Sequence, residues 1–319
     1  MDSLRPRFRD RLPQCGGGLF LTDAGLETVL LFHEGVDLPC FAAFPLLDSA
    51  NGRRRLHNYY SDFARLAVAE GVGLILEGAT WRANADWGTK LGYDAAGLAD
   101  INRRSVELML EVRRQFETAE SRMPISGCIG PRGGGYDPGT VMSPKEAADY
   151  HEAQIAVLAA TAADHVSALT ITNAPEAIGI ALAAKRWEMP VVMSFTLETD
   201  GRLPTGQAMG EAIAEVDAAS GNYPAYYMIN CAHPTHFAAA LGNDAWIKRL
   251  KGIRANASCR SHAELDAAAE LDDGNPVELG EQYAALRARF PQINVLGGCC
   301  GTDLRHVEAI ARSCRPRTA

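Results

Sequence analysis

A single-domain α/β protein, a (β/α)8 TIM barrel, is what the sequence predicts, and three observations predict it. Eight short apolar, β-prone runs recur along 319 residues, most are followed by a stretch with helical spacing, and the residues able to do chemistry fall at the C-terminal ends of the runs. The runs cover residues 19–22, 73–76, 124–129, 165–171, 190–197, 225–230, 252–255 and 293–296. Helical spacing covers 55–70, 98–118, 144–163, 175–187, 206–220, 235–241, 282–290 and 303–312. Pro144 after Ser143, with Glu146 in the first turn, is a helix start signal. An open doubly wound sheet is the rival arrangement. No internal repeat, low-complexity tract or interdomain linker appears, so residues 1–319 read as one unit, with residues 1–15 as a surface arm whose basic stretch from Arg5 to Arg11 is solvated.

A hydrophobic fraction of 47% and a charged fraction of 22% describe an ordinary globule with a sizeable core. The net charge of −8 argues against nucleic acid as a partner. No run approaches the roughly 18 apolar residues of a membrane span, and charged residues rather than an apolar signal follow Met1, so the expected location is the cytoplasm. Eight cysteines in such a chain read as thiols or metal ligands rather than a disulfide framework.

The strongest chemical signal is Gly297-Gly298-Cys299-Cys300-Gly301-Thr302 together with Cys231 in Ile229-Asn230-Cys231-Ala232-His233. Three thiolates can hold a tetrahedral zinc and leave the fourth position for a substrate. A lone cysteine is more often a small buried hydrophobe, and two adjacent ones can form a redox pair, but neither reading gives all three a role. Zinc favours thiolate over thiol, and three anionic ligands suit alkyl transfer to sulfur better than water activation. His233 is a candidate substrate contact or an ordinary loop histidine. Asp23, beside the small residues Ala24 and Gly25, is either a ligand for an amino acid or a helix N-cap. The glycine-rich stretch 130–135 lacks dinucleotide spacing, and it and the stretch 198–206 read as loops over the same face. The stretch 259–280, rich in Ala, Asp and Glu, reads as surface without nameable chemistry.

These residues resemble the homocysteine S-methyltransferase family along nearly the whole chain, from Asp23-Ala24-Gly25-Leu26-Glu27-Thr28 through Ala79-Thr80-Trp81-Arg82-Ala83, Ile129-Gly130-Pro131 and Ile229-Asn230-Cys231 to Gly297–Thr302. The resemblance implies a (β/α)8 barrel, zinc on Cys231, Cys299 and Cys300, and an aspartate, here Asp23, that helps hold the amino group of homocysteine. It implies attack of a homocysteine thiolate on the methyl of a sulfonium or quaternary ammonium donor, with methionine released.

The sequence departs from the family pattern at three places. Leu169 stands where a glutamate is usual, Ala24 where a second glycine is common, and Glu77 where threonine is common. Either Glu77 supplies the missing charge or the acceptor is a different thiol. The expected substrate contacts are Asp23, Ala24, Gly25, Glu77, Thr170 and Asn230, with Trp81, Trp87 and Tyr136 as candidate walls for an onium group. The expected partners are a small-molecule thiol and a methyl donor. A module that binds zinc or a thiol without turnover is the alternative of a different class.

Overall fold

The computed structural model describes residues 5–315, and within them the sheet is parallel and closed. Its eight strands are β1 (Phe20–Leu21), β2 (Gly73–Leu74 continuing as Leu76–Glu77), β3 (Ile125–Ile129), β4 (His165–Ile171), β5 (Val191–Thr196), β6 (Tyr226–Asn230), β7 (Leu250–Ala255) and β8 (Val295–Gly298). Closure is explicit, because Phe20 pairs with Gly73 on one side and Val295 on the other, and Leu76 pairs with Ile125. Every predicted run contains or overlaps one of these strands. The doubly wound alternative is thereby excluded.

Side chains along a strand alternate between two faces, and this period of two builds the interior. Phe20, Ile75, Val192, Tyr226, Met228 and Val295 form a small buried cluster of their own inside the barrel. Their outward neighbours, such as Leu21, Leu76, Met193, Tyr227, Ile229 and Leu296, belong to the larger core under the helices. Two residues beyond the inner cluster on each strand come Glu77, Ser194 and Asn230, and Arg254 occupies the same inward phase on β7. The alternation therefore puts polar and charged groups in the layer above an apolar plug.

Outside lie helices Ala50–Glu70, Ala95–Phe116, Pro144–Ala159, Ala174–Arg186, Met209–Ser220, Pro276–Arg289 and Leu304–Cys314. Ser143 caps its helix through a full capping box with Glu146, as its sequence signals. Several helix expectations shift at their ends: the one from 55 begins at Ala50, and the one to 163 stops at Ala159. The one over 235–241 shrinks to the single turn Pro234–Phe237, and the one starting at 282 begins at Pro276, where the Asn275 side chain accepts the amides of Val277 and Glu278. No described helix is long and apolar enough to cross a membrane.

The described part of the N-terminal arm lies at the surface but is tied down rather than solvated. The amides of Arg7 and Phe8 donate to Asp164 Oδ1, and the Arg9 guanidinium donates to the carbonyls of Ala159, Thr161 and Ala163. Leu12 and Gln14 are buried, with Gln14 donating to the Tyr226 hydroxyl. Asp164, just before β4, also takes Arg113 Nη1 and the Ile125 amide, so its two oxygens serve four donors. Residues 1–4 of the expected arm lie outside the described residues.

Candidate active site

Cys231 directly follows β6, and Cys299 and Cys300 follow β8, so two strand ends bring residues 68 positions apart together. The Cys231 amide donates to the Arg254 carbonyl and the Cys299 amide to the Ala255 carbonyl, which anchors both turns to β7. The three sulfurs lie within 4.8 Å of one another, with Cys300 Sγ 4.0 Å from Cys231 Sγ. Ligand sulfurs on a tetrahedral zinc are spaced by about 3.8 Å, from Zn–S bonds near 2.3 Å, so this donor set suits that ion. Cys231 and Cys299 are in sulfur–sulfur contact, with Cα atoms 5.4 Å apart. The redox pairing open to this site therefore joins Cys231 to Cys299 and not the two vicinal cysteines.

The glycines around the pair serve close approach more than turning. A Cβ on Gly297 would strike the Thr22 hydroxyl and one on Gly298 the Thr302 hydroxyl, and only Gly301, at φ +79°, uses the left-handed region. Burial pushes the Cys300 thiol up to about 11, against a hydrogen bond from the Tyr136 hydroxyl at 3.6 Å. Without a cation the thiol form is favoured, so occupation by a metal must release protons.

Beneath the sulfurs lies a layer of buried charge. Arg254 donates from Nη2 to Asp23 Oδ1 and from Nη1 to Glu77 Oε2, both at 2.8 Å, and from Nε and Nη2 to the carbonyls of Gly298 and Ala24. Asp23 Oδ2 accepts the Tyr59 hydroxyl at 3.1 Å. Burial pushes the Asp23 carboxyl up to about 6; the Arg254 guanidinium opposes that and the Glu77 charge adds to it. For Arg254 burial acts against the charge, but the two carboxylates outweigh it and the net shift is upward. Glu77 Oε1 is buried with no hydrogen-bond partner among the described residues.

The rim between these charges and the sulfurs is strained. Thr170 and Cys231 hold φ values of +63° and +54°, costly for a β-branched residue above all. Thr170 sits where the β4–β5 register slips between Ala168 and Ile171, a bulge that turns both Leu169 and Thr170 toward the cavity. Asn230 holds that conformation. Its Oδ1 accepts the Thr170 amide and the Ser194 hydroxyl, and its Nδ2 donates to Thr170 Oγ1 at 2.7 Å and lies 3.8 Å from Cys299 Sγ.

Above the sulfurs opens a cavity of about 730 Å³, inside the roughly 300–1,000 Å³ range of small-molecule sites. Asp23, Ala24, Gly25, Glu77, Thr170, Asn230 and all three cysteines line it, so the expected metal ligands and the six expected substrate contacts converge there. Trp81 and Tyr136 also line it, whereas Trp87 stands behind the Arg82 guanidinium. Asp23 caps no helix: Gly25 occupies the N-cap position of Leu26–Thr28, without a side-chain hydrogen bond. Glu27 faces the cavity, and loss of water around it pushes its carboxyl up to about 7.

The stretch 259–280, expected to lack chemistry, roofs the cavity. His262, at the start of helix His262–Asp266, donates from Nε2 to the Cys231 carbonyl at 2.6 Å, and its Nδ1 lies 2.9 Å from Glu198 Oε1. Its ring stacks on Tyr136 with centroids 3.9 Å apart. The loops 130–135 and 198–206 reach the same face, as predicted, through Gly134, Gly135 and Glu198, and the former is pinned where Glu176 accepts the Arg132 amide. His233 instead caps the turn Pro234–Phe237 through Thr235.

Arg254 and His262 are the site residues that sequence reading missed. A signal existed for Arg254: a charge in the inward phase of a buried parallel strand needs a buried partner. For His262 there was none, because its partners come from loops distant in sequence.

Comparison with known proteins agrees with this geometry. The chain is 25% identical to homocysteine S-methyltransferase 3 of Arabidopsis thaliana, covering 95% of this chain and 91% of that protein. It is 26% identical to homocysteine S-methyltransferase 4 of Zea mays, covering 94% and 90%. The oxidized form of the homocysteine methyltransferase MmuM from Escherichia coli superposes with a TM-score of 0.72 at 18% identity, over 92% of this chain and 95% of that one, which shows a shared barrel. The sequence profile of the homocysteine S-methyltransferase family matches residues 20–314, and with that span including the cysteine cluster, Asp23 and all eight strands, the chain belongs to this family of methyltransferases.

Proposed function

We propose that this methyltransferase moves a methyl group from a sulfonium or quaternary ammonium donor to the thiolate of homocysteine, giving methionine, with zinc held by Cys231, Cys299 and Cys300. The observation that carries the reading is the convergence of three sulfurs, within 4.8 Å of one another, in a cavity lined by carboxylates and aromatic rings. A zinc bound there would favour the thiolate of an acceptor in the fourth position while leaving it nucleophilic. In the transfer, the new bond joins the acceptor sulfur to the methyl carbon. The bond from methyl to donor breaks, its electron pair leaves with the donor as a neutral thioether or tertiary amine, and no proton moves.

The chain's own residues bind and orient. Tyr136 and Asn230 place donors near Cys300 and Cys299, which spreads the charge of the ligand sulfurs. The Trp81 and Tyr136 faces suit an onium group. Asp23 has both oxygens engaged, so the free oxygen nearest to a new role is Glu77 Oε1, which answers the absence of a carboxylate at Leu169 by offering one to the acceptor ammonium.

The test is metal analysis and product formation together. Wild type incubated with zinc, homocysteine and either S-methylmethionine or betaine should form methionine and carry one equivalent of zinc. Cys300→Ala should lose the metal and more activity than the roughly 10–100-fold that outer partners of a metal ligand are worth. Retention of a full equivalent by the variant, or no methionine with either donor, would overturn the reading.

A further inference from the structure

Two guanidiniums line the cavity, and they are treated differently. Arg254 is paired with two carboxylates and two carbonyls. Arg82, in the loop after β2, makes no ion pair among the described residues, and its Nε and Nη1 are buried with no hydrogen-bond partner there. Its guanidinium carbon lies 3.7 Å from the Trp87 ring centroid and 4.7 Å from that of Trp81. A buried donor left without a partner has lost its hydration and gained nothing in return. Two indoles fix the plane of the guanidinium, and Nη2, which is not among its buried atoms and has no partner among the described residues, is the donor left open.

A guanidinium held in one plane with Nη2 open matches a carboxylate, one oxygen on that amino group and the other within reach of a neighbouring N–H in the same plane. The rim favours one kind of carboxylate carrier. Asp137, Glu198, Asp266, Glu270 and Asp272 surround the opening, a field that repels polyanions and draws in cations. A zwitterion satisfies both conditions, with its onium or ammonium group toward the carboxylates and rings and its single carboxylate on Arg82. We propose that Arg82 is the receptor for the carboxylate of an amino-acid substrate, held ready by Trp81 and Trp87. This inference rests on the methyl-transfer reading only for the choice of amino acids as ligands. Both donor and acceptor carry such a group, and the rim position of Arg82, half-buried where Glu77 and Arg254 are buried, favours the donor.

Calorimetry on the zinc-loaded protein tests it without turnover. S-methylmethionine and homocysteine are each titrated beside their own carboxamides, into wild type, Arg82→Met and Arg82→Lys. Met fills the gap between the rings without donors. Wild type should bind the free acid of S-methylmethionine at least about tenfold more tightly than its amide, Arg82→Met should bind the two alike, and Arg82→Lys should keep part of the preference. Loss of preference for homocysteine alone would assign the carboxylate to the acceptor and support the receptor. A wild type indifferent to amidation of both ligands, or an Arg82→Met variant that keeps its preference, would overturn it. Methionine formation from trimethylsulfonium, which has no carboxylate, reports on the methyl-transfer reading separately.

Discussion

The two ends of this barrel use buried charge in opposite ways. At the N-terminal end Asp164 satisfies four donors, joins the arm, the helix Ala95–Phe116 and β3 in one knot, and leaves nothing over. At the C-terminal end Arg254 holds two carboxylates, yet Glu77 Oε1 and two nitrogens of Arg82 remain unmatched, and Thr170 and Cys231 are held at positive φ. The first arrangement serves stability. The second keeps unspent bonding capacity in a strained rim, which is the mark of a site on this fold.

Breaking each hub in turn gives the largest effects. Asp164→Ala strands Arg113 and three amides and should cost about 3–5 kcal/mol in chemical denaturation, while the folded fraction keeps its metal and its affinity for ligands. Arg254→Met should cost a similar amount, about 3–5 kcal/mol, but should also abolish acceptor binding. Its pH dependence has a defined sign. Asp23 already sits high, near 6, with Arg254 present, so without that cation the folded state takes up more protons than the unfolded one. The variant should therefore be most stable below the ordinary aspartate range and lose stability as pH rises through 6 and beyond. Equal losses of ligand affinity in both variants would erase the distinction between the ends.

A smaller change sharpens it. Glu77→Gln keeps shape and leaves Arg254 on Asp23, and should weaken homocysteine binding by about 1.5–3 kcal/mol in calorimetry. Equal binding by wild type and variant would show that the acceptor ammonium goes elsewhere, or that the acceptor has none. The smallest effect belongs to Thr170→Gly. Relief of the left-handed strain should return about 1 kcal/mol of stability, and loss of the hydroxyl that Asn230 holds should lower kcat, with the melting temperature and the rate moving in opposite directions.

The frame was legible because its signals are local. Strand runs, the Ser143 cap and the cysteine turn each declare themselves within a few residues. Glu77 and Leu169 stood out as departures, but their relation to Arg254 did not, since ion pairs across a barrel join β2 to β7 with no trace in spacing. The roof was misread for the opposite reason: residues 259–280 look like solvent-facing sequence because much of their surface does face solvent, and His262 is buried alone before Leu279 and Gly280 of the next helix. The arm was misjudged through its charge. Arg9 is basic in order to cap the carbonyl ends that follow a helix, not to remain in water.

The size of the chamber over the sulfurs has a kinetic corollary. It has room for two amino-acid-sized guests side by side, and no nucleophile of the protein is needed to carry the methyl between them. Initial-rate plots should intersect rather than run parallel, and one molecule joining the skeletons of both guests through a single sulfur should compete with each of them.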